Sequence, residues 1–506
     1  MGSASPGLEL DNDENSALDT SSVNDNDLSK ITNADAYELH HLPTQLSDRS
    51  RRASALNRSE ISVGKRPPFV QTLSADESNF PTDTGRTPSQ LSVNASTEER
   101  QPLTRQQKRN SLLQFLAFCF STWLNGWNDG TLGPLLPRIQ ADYRLGFAIV
   151  SMIFIGNFTG YVTGAAWNVW LNDRYGLGKI VVVGAMCQLA AYAVLISSPP
   201  FALMVCAYVL IGFGISIQGA QANGFVGSLR QHMSLKLGMM HGAYGFGAFS
   251  SPFAATYFSS LANRKWAFHF IISAGLALIN ILILTYVFRF RRQEDILRDA
   301  GQEPNADTTS GAGGSTYKQI FKLKAMPLLI IWALIYIGVE VTLGGWIVTF
   351  IIRERHGGAK AGYISSGFFG GLTAGRICLI WLNERVGAKR IVFIYSLIAI
   401  GLELTIWFVP SIIGNAVAVS LIGVVLGPMF PLLVSHMTRI LPHWLLTGCV
   451  GLVAGLGMAG SAALPFATGL LASKYGIGSL QPLMVSMMGC MVFVWALVPN
   501  SATRVD

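Results

Sequence analysis

From Ser111 onward the chain alternates apolar runs with short polar breaks, and runs of about 20 residues are long enough to cross a bilayer core. Twelve runs are read, at about 111–136, 146–171, 178–197, 201–228, 236–258, 266–289, 325–352, 360–382, 388–409, 412–439, 443–470 and 479–498. In hydrocarbon, backbone polar groups must be satisfied internally. Runs of this length do that as helices, so the expectation is an all-α membrane protein with twelve transmembrane helices. The stretch 290–324 is the one long break. It splits the chain into two six-helix bundles, 111–289 and 325–498, joined by a linker and followed by a short tail, 499–506. Composition agrees: half the residues are apolar, 13% are charged, and mean hydropathy is +0.39. That is too greasy for a soluble protein of this size.

The two bundles carry traces of each other. Residues 170–179 read WLNDRYGLGK and residues 381–390 read WLNERVGAKR. Leu-Ile-Gly at 210–212 returns at 421–423, and Pro-Phe-Ala at 252–254 returns at 465–467. Repeats in register across hydrophobic segments mark a duplicated, pseudo-symmetric bundle.

Charge is divided unevenly. Residues 1–110 hold 16 acidic and 12 basic residues, and the rest of the chain holds 13 and 25. The tail is rich in Ser, Thr, Asn and Asp and poor in aromatics, a composition expected to stay disordered. Ser54 follows a basic pair, as a basophilic kinase site would require, and Ser111 follows Lys108 and Arg109 in the same way. In the body, Lys and Arg gather in alternate loops: Arg174, Lys179, Arg289, Arg291 and Arg292 fall on the richer side, Arg138, Arg144, Arg353 and Lys360 on the poorer. The positive-inside rule then places both termini in the cytosol. It also explains the basic excess without nucleic acid. The six cysteines sit in apolar runs, with no metal-site spacing and no loop position suited to a disulfide. No signal peptide is visible, so the first membrane helix is expected to act as its own targeting signal.

The paired W-L-N loops resemble the cytoplasmic motif of the major facilitator superfamily, between the second and third helices and again between the eighth and ninth. The resemblance covers 111–506. It implies that Asp173 and Arg174, with Glu384 and Arg385 in the second copy, act as a gate that pairs with neighbouring helix ends. Within that superfamily, Asn128-Asp129-Gly-Thr-Leu-Gly-Pro134 resembles the first helix of the fucose/galactose/glucose–proton symporters. Tyr336-Ile-Gly-Val-Glu340 resembles the start of their seventh helix, and Asn223-Gly-Phe-Val226 the end of their fourth. Together with the long hydrophilic tail, the pattern is most similar to fungal members of that group. The chain departs from it at Gln218-Gly-Ala-Gln221, where the bacterial carriers have a glutamate.

Ionisable residues inside membrane spans are functional candidates by default. Asn125, Asn128 and Asp129 share one helical face, and two amides with a carboxylate suit a sugar's hydroxyls. Low dielectric favours a carboxyl group's neutral form, the property proton coupling needs, so Asp129 and Glu340 are read as proton-coupling residues, with His241 as a third. Gln218, Gln221, Asn223 and Tyr336 complete the expected solute contacts. Trp127 and Trp346 offer ring faces for stacking. Glu403 is expected to be structural, and Arg376 to pair near the Glu384 loop. No nucleotide loop, metal cluster or hydrolase motif is present; no cofactor and no enzymatic activity are expected.

These features predict a secondary active transporter of a small polar solute such as a hexose, coupled to protons and working by alternating access. A plasma-membrane location is favoured over a vacuolar one, with the lipid bilayer and the solute as partners. An exporter of drugs or metabolites on the same fold is one alternative. A non-transporting sensor signalling through the tail is the other.

Overall fold

The computed structural model describes residues 103–229, 233–301, 319–321, 323–442 and 445–500. Ser54, most of the expected tail and most of the linker lie outside them. The described chain is built of helices throughout, as twelve long units: α1 (Arg105–Tyr143), α2 (Phe147–Tyr175), α3 (Leu177–Ile196), α4 (Phe201–Gly227), α5 (Met233–Ser259), α6 (Lys265–Phe288), α7 (Ala325–Glu354), α8 (Lys360–Cys378 with Ile380–Val386), α9 (Ala388–Phe408), α10 (Ile412–Ile440), α11 (Gly448–Tyr475) and α12 (Ile477–Leu497). Several are interrupted by short breaks, and α8 bends by 57° between its two pieces. Among the described residues, nine of these are long and apolar enough to cross a membrane, ten with the bent pair. The other two, α1 and α5, are long enough but too polar, and they lie against each other.

Two boundaries differ from expectation. Helix α1 starts at Arg105, where Thr104 and Gln107 form a capping box: the Thr104 side chain accepts from Gln107 N–H, and Gln107 reaches back to Thr104 N–H. This motif satisfies two helix-end donors and starts the helix ahead of its apolar run. Ser111 therefore sits within a helix, not on a flexible tail. The linker is not all loop either. Its first part forms a short helix, Gln293–Asp299, whose Ile296 and Leu297 are buried with Phe115, Phe118, Phe225 and Phe288. Gln114 donates to the Ile296 carbonyl at 2.9 Å, and Gly178 N–H to the Arg291 carbonyl at 2.9 Å.

The sequence repeat is also a structural one. Helix α2 ends at Gly176 and α8 at Gly387, with φ of +81° and +86°. Only glycine adopts that backbone freely, and each begins the next helix at once. Within each half, helix pairs close on small residues. A Cβ at Gly126 of α1 would overlap the Tyr244 carbonyl of α5, and one at Gly460 of α11 would overlap the Leu334 carbonyl of α7. Such contacts let backbones approach in a membrane, where lipid supplies no hydrophobic drive between helices.

The two halves meet toward one end. There the Ala148 N–H donates to Ser473 Oγ at 2.9 Å, Phe147 and Phe154 lie against Trp346, and Gly133 faces the Gly344 carbonyl with no room for a Cβ. Toward the end carrying the W-L-N loops, Gly238 and Gly242 of α5 and Gly451 and Gly455 of α11 have no atom within 4 Å of a Cβ position. The halves part on that side.

Candidate functional site

Asp129 sits midway along α1, in the part that faces α5. Its Oδ2 accepts the Tyr244 hydroxyl at 2.5 Å, and its Oδ1 accepts Asn128 Nδ2 at 3.3 Å. Asn128 Oδ1 in turn accepts the Tyr192 hydroxyl at 3.3 Å. The close approach of α5 at Gly126 is what brings Tyr244 to the carboxylate.

Across the interface, Glu340 of α7 pairs with Arg376 of α8 at 3.7 Å, their side chains 18% and 25% exposed. Arg376 Nε also donates to the Gly427 carbonyl of α10 at 3.2 Å. This corrects the expected pairing of Arg376 near the Glu384 loop. Tyr336 is stacked on Trp332 and donates to the Leu426 carbonyl at 3.1 Å. The charges of Glu340 and Arg376 both reach Tyr244, and that of Arg376 reaches His241, one turn earlier on α5. His241 is exposed. Tyr244, which holds Asp129, and His241 from one half thus lie within electrostatic range of the Glu340–Arg376 pair of the other, with Tyr336 one turn before Glu340 on α7. With all three charged groups ionised, the cluster carries two negative charges and one positive.

The other expected solute contacts are occupied differently. Asn125 Oδ1 accepts Gln188 Nε2 at 2.9 Å, Gln188 Oε1 accepts Gln218 Nε2 at 2.8 Å, and Gln218 Oε1 accepts from Ser121 at 2.5 Å and from Asn280 at 2.9 Å. All five side chains are buried. Asn125 and Gln218 therefore tie α1, α3, α4 and α6 together. Where the resemblance supplies a glutamate, the chain builds a neutral amide chain. Gln221 bonds Asn168 at 2.8 Å, and Asn223 is exposed and bonds its own helix at the Gly219 carbonyl. Trp127 is not free for stacking either: its indole N–H donates to Ser273 and its ring lies on His269. Trp346 is buried and donates to the Pro465 carbonyl. Glu403 is fully buried in α9, outside the cluster.

At the W-L-N end, Asp173, Arg174, Glu384 and Arg385 are all exposed. Arg174 lies over Tyr175 and Arg385 over the Trp381 ring, 4.0 Å from its centroid. None of the four makes a salt bridge with another described residue.

The signal that reveals Tyr244 is its spacing from His241. Gln188 and Tyr192, four apart, share a face of α3 in the same way; Asn280 gives no such signal, being the one amide of its apolar run.

The sequence pattern of the Major Facilitator Superfamily matches residues 118–447. The chain belongs to that superfamily. It is accordingly a secondary transporter and not an enzyme. Bypass of stop codon protein 6 of Saccharomyces cerevisiae is 27% identical over 429 residues, covering 79% of this chain and 83% of that one. The cis,cis-muconate transport protein of Acinetobacter baylyi is 23% identical, covering 76% and 93%. Among solved structures, a D-xylose-proton symporter superposes with a TM-score of 0.63 at 10% identity, covering 77% of this chain and 98% of that one. At that identity the likeness concerns the superfamily fold.

Proposed function

We propose that this superfamily member carries a small, neutral, polyhydroxylated solute of hexose size, coupled to a proton that rides on Asp129. The observation that carries this reading is the charge balance of the central cluster. Arg376 is already paired with Glu340, and Asp129 adds a second carboxylate held by Tyr244. A proton on Asp129 brings the cluster to neutrality, so proton and solute can cross together without moving an unpaired charge through low dielectric. Hydroxyl, carboxyl and guanidinium groups side by side supply the donors and acceptors a sugar requires. An organic anion, such as the muconate for which the Acinetobacter relative is named, would meet a net negative cluster here. An apolar drug would leave the same polar groups unpaired, which weighs against the exporter.

The exposed gate residues fit a state in which the W-L-N end is open, as the expected latch would form only when that end closes. The excess of Lys and Arg on that side supports a cytosolic orientation, with the plasma membrane as the site of uptake. The test is uptake of labelled hexoses and polyols into proteoliposomes under an imposed proton gradient. Uptake should rise as the outside is acidified relative to the interior, and Asp129→Asn should abolish the acceleration while leaving solute exchange. Gradient-insensitive flux in the wild-type protein would remove the proton from the scheme.

A further inference from the structure

At the end where the halves close, a cavity of about 480 Å³ lies beyond the central cluster, between the ends of α1, α5, α7 and α8. Both halves line it: Pro137, Arg138 and Ser259 on one side, Ile352, Arg353 and His356 on the other. Its charge is one-sided. Arg138 Nε faces Asp142 at 3.4 Å, but that carboxylate also accepts the Trp266 indole N–H at 2.6 Å. Beyond Asp142, the Arg138 guanidinium has no polar partner among the described residues. Glu354, the neighbour of Arg353, turns away toward the start of α12, its carboxylate 3.5–3.6 Å from where a Cβ on Gly478 would stand. Arg353 is exposed, and neither it nor His356 has a hydrogen-bond or ion-pair partner among the described residues.

We propose that this cavity is a binding site for a small polyvalent anion bearing two or more carboxylate or phosphate groups, which locks the carrier closed at this end. Guanidinium forks bind such groups through paired, charge-assisted hydrogen bonds, and the volume lies in the range of small-ligand cavities. The regulatory consequence follows from where the cations come from. An anion spanning Arg138 and Arg353 touches both halves only while they are together, so it binds the closed state better and shifts the population toward it. It acts as an inhibitor that never enters the central cluster, and it does not depend on which solute is carried.

The full-length protein in nanodiscs is heated with pyrophosphate or citrate, with KCl at matched ionic strength as the reference. Saturating anion should raise the unfolding midpoint by roughly 2 °C or more, and Arg353→Gln or Arg138→Gln should erase the rise. Either anion acting alone upholds the site and names its group. A rise matched by KCl, or one retained in Arg353→Gln, overturns the proposal. Because Arg353 is exposed, its loss leaves the packing intact. A second readout addresses the lock: A148C/S473C cross-linking across the closed end should speed up with anion, and an unchanged rate refutes bridging.

Discussion

Adding one methyl group to Gly133 should tip the carrier toward its other state. Gly133 of α1 faces the Gly344 carbonyl oxygen of α7, and a Cβ there would overlap that oxygen while standing 3.1 Å from Ser365 Oγ. The main obstacle is backbone, so no side chain can swing aside. Overpacking of this kind costs about 1–3 kcal/mol. In most proteins that cost appears only as lost stability. Here it exists only while α1 and α7 touch, so the chain can escape it by parting the halves at this end. The closed-to-open ratio should then fall by roughly 5- to 150-fold. Gly160→Ala is the control: its Cβ would overlap the Val209 carbonyl of α4, a contact within one half. That strain follows the half through both states, so it should lower the melting temperature and leave the state distribution alone. The assay is a spin-label distance measurement between positions 148 and 473, in a background lacking the six native cysteines. If Gly133→Ala leaves the distances unchanged, or Gly160→Ala moves them equally, the rigid-half reasoning is wrong.

Three further outcomes are expected. Tyr244→Phe removes the hydroxyl donated to Asp129 at 2.5 Å, so proton-driven uptake should fall while exchange persists, measured in the same proteoliposomes. Gln188→Leu strands the Asn125 carbonyl in a dry bundle and leaves the Gln218 amide only its 3.3 Å bond to the Gly214 carbonyl, at about 1–3 kcal/mol for the orphaned group; the melting temperature should drop with solute preference unchanged. Glu340→Gln leaves Arg376 without its counter-charge, so uronic acids should begin to compete against their parent sugars in uptake inhibition.

Much of the fold could be read from the sequence because membrane insertion writes it there in lengths and charges. The W-L-N repeat predicted equivalent corners, and Gly176 and Gly387 turn the chain in the same way at both. Helix α1 begins ahead of its apolar run because hydropathy marks where lipid begins, whereas the capping box at Thr104 marks where the helix begins. The site was half legible. Asp129 and Glu340 stood out as carboxylates in apolar runs. Their partners were hidden by chain distance: Tyr244 lies 115 residues from Asp129. Proximity in sequence drew Arg376 toward Glu384, whereas helix packing gives it to Glu340. The amides show the limit most clearly. Sequence revealed that Asn125 and Gln218 are polar and interior, but not that Gln188 and Asn280 would use up their hydrogen bonds.

The polarity of α1 and α5 reaches back to synthesis. A ribosome delivers helices to the membrane one at a time, and α1, too polar to cross on composition alone, arrives first. The helix it lies against, α5, is completed only at Ser259, after α2, α3 and α4 have been made. Gln188 and Tyr192 of α3 can already meet Asn125 and Asn128, but until then Asp129 lacks the Tyr244 hydroxyl. The contact that covers the carboxylate of α1 is therefore completed only when α5 joins it. Chains truncated after α4 should leave α1 accessible to aqueous thiol reagents, and chains extended through α5 should protect it.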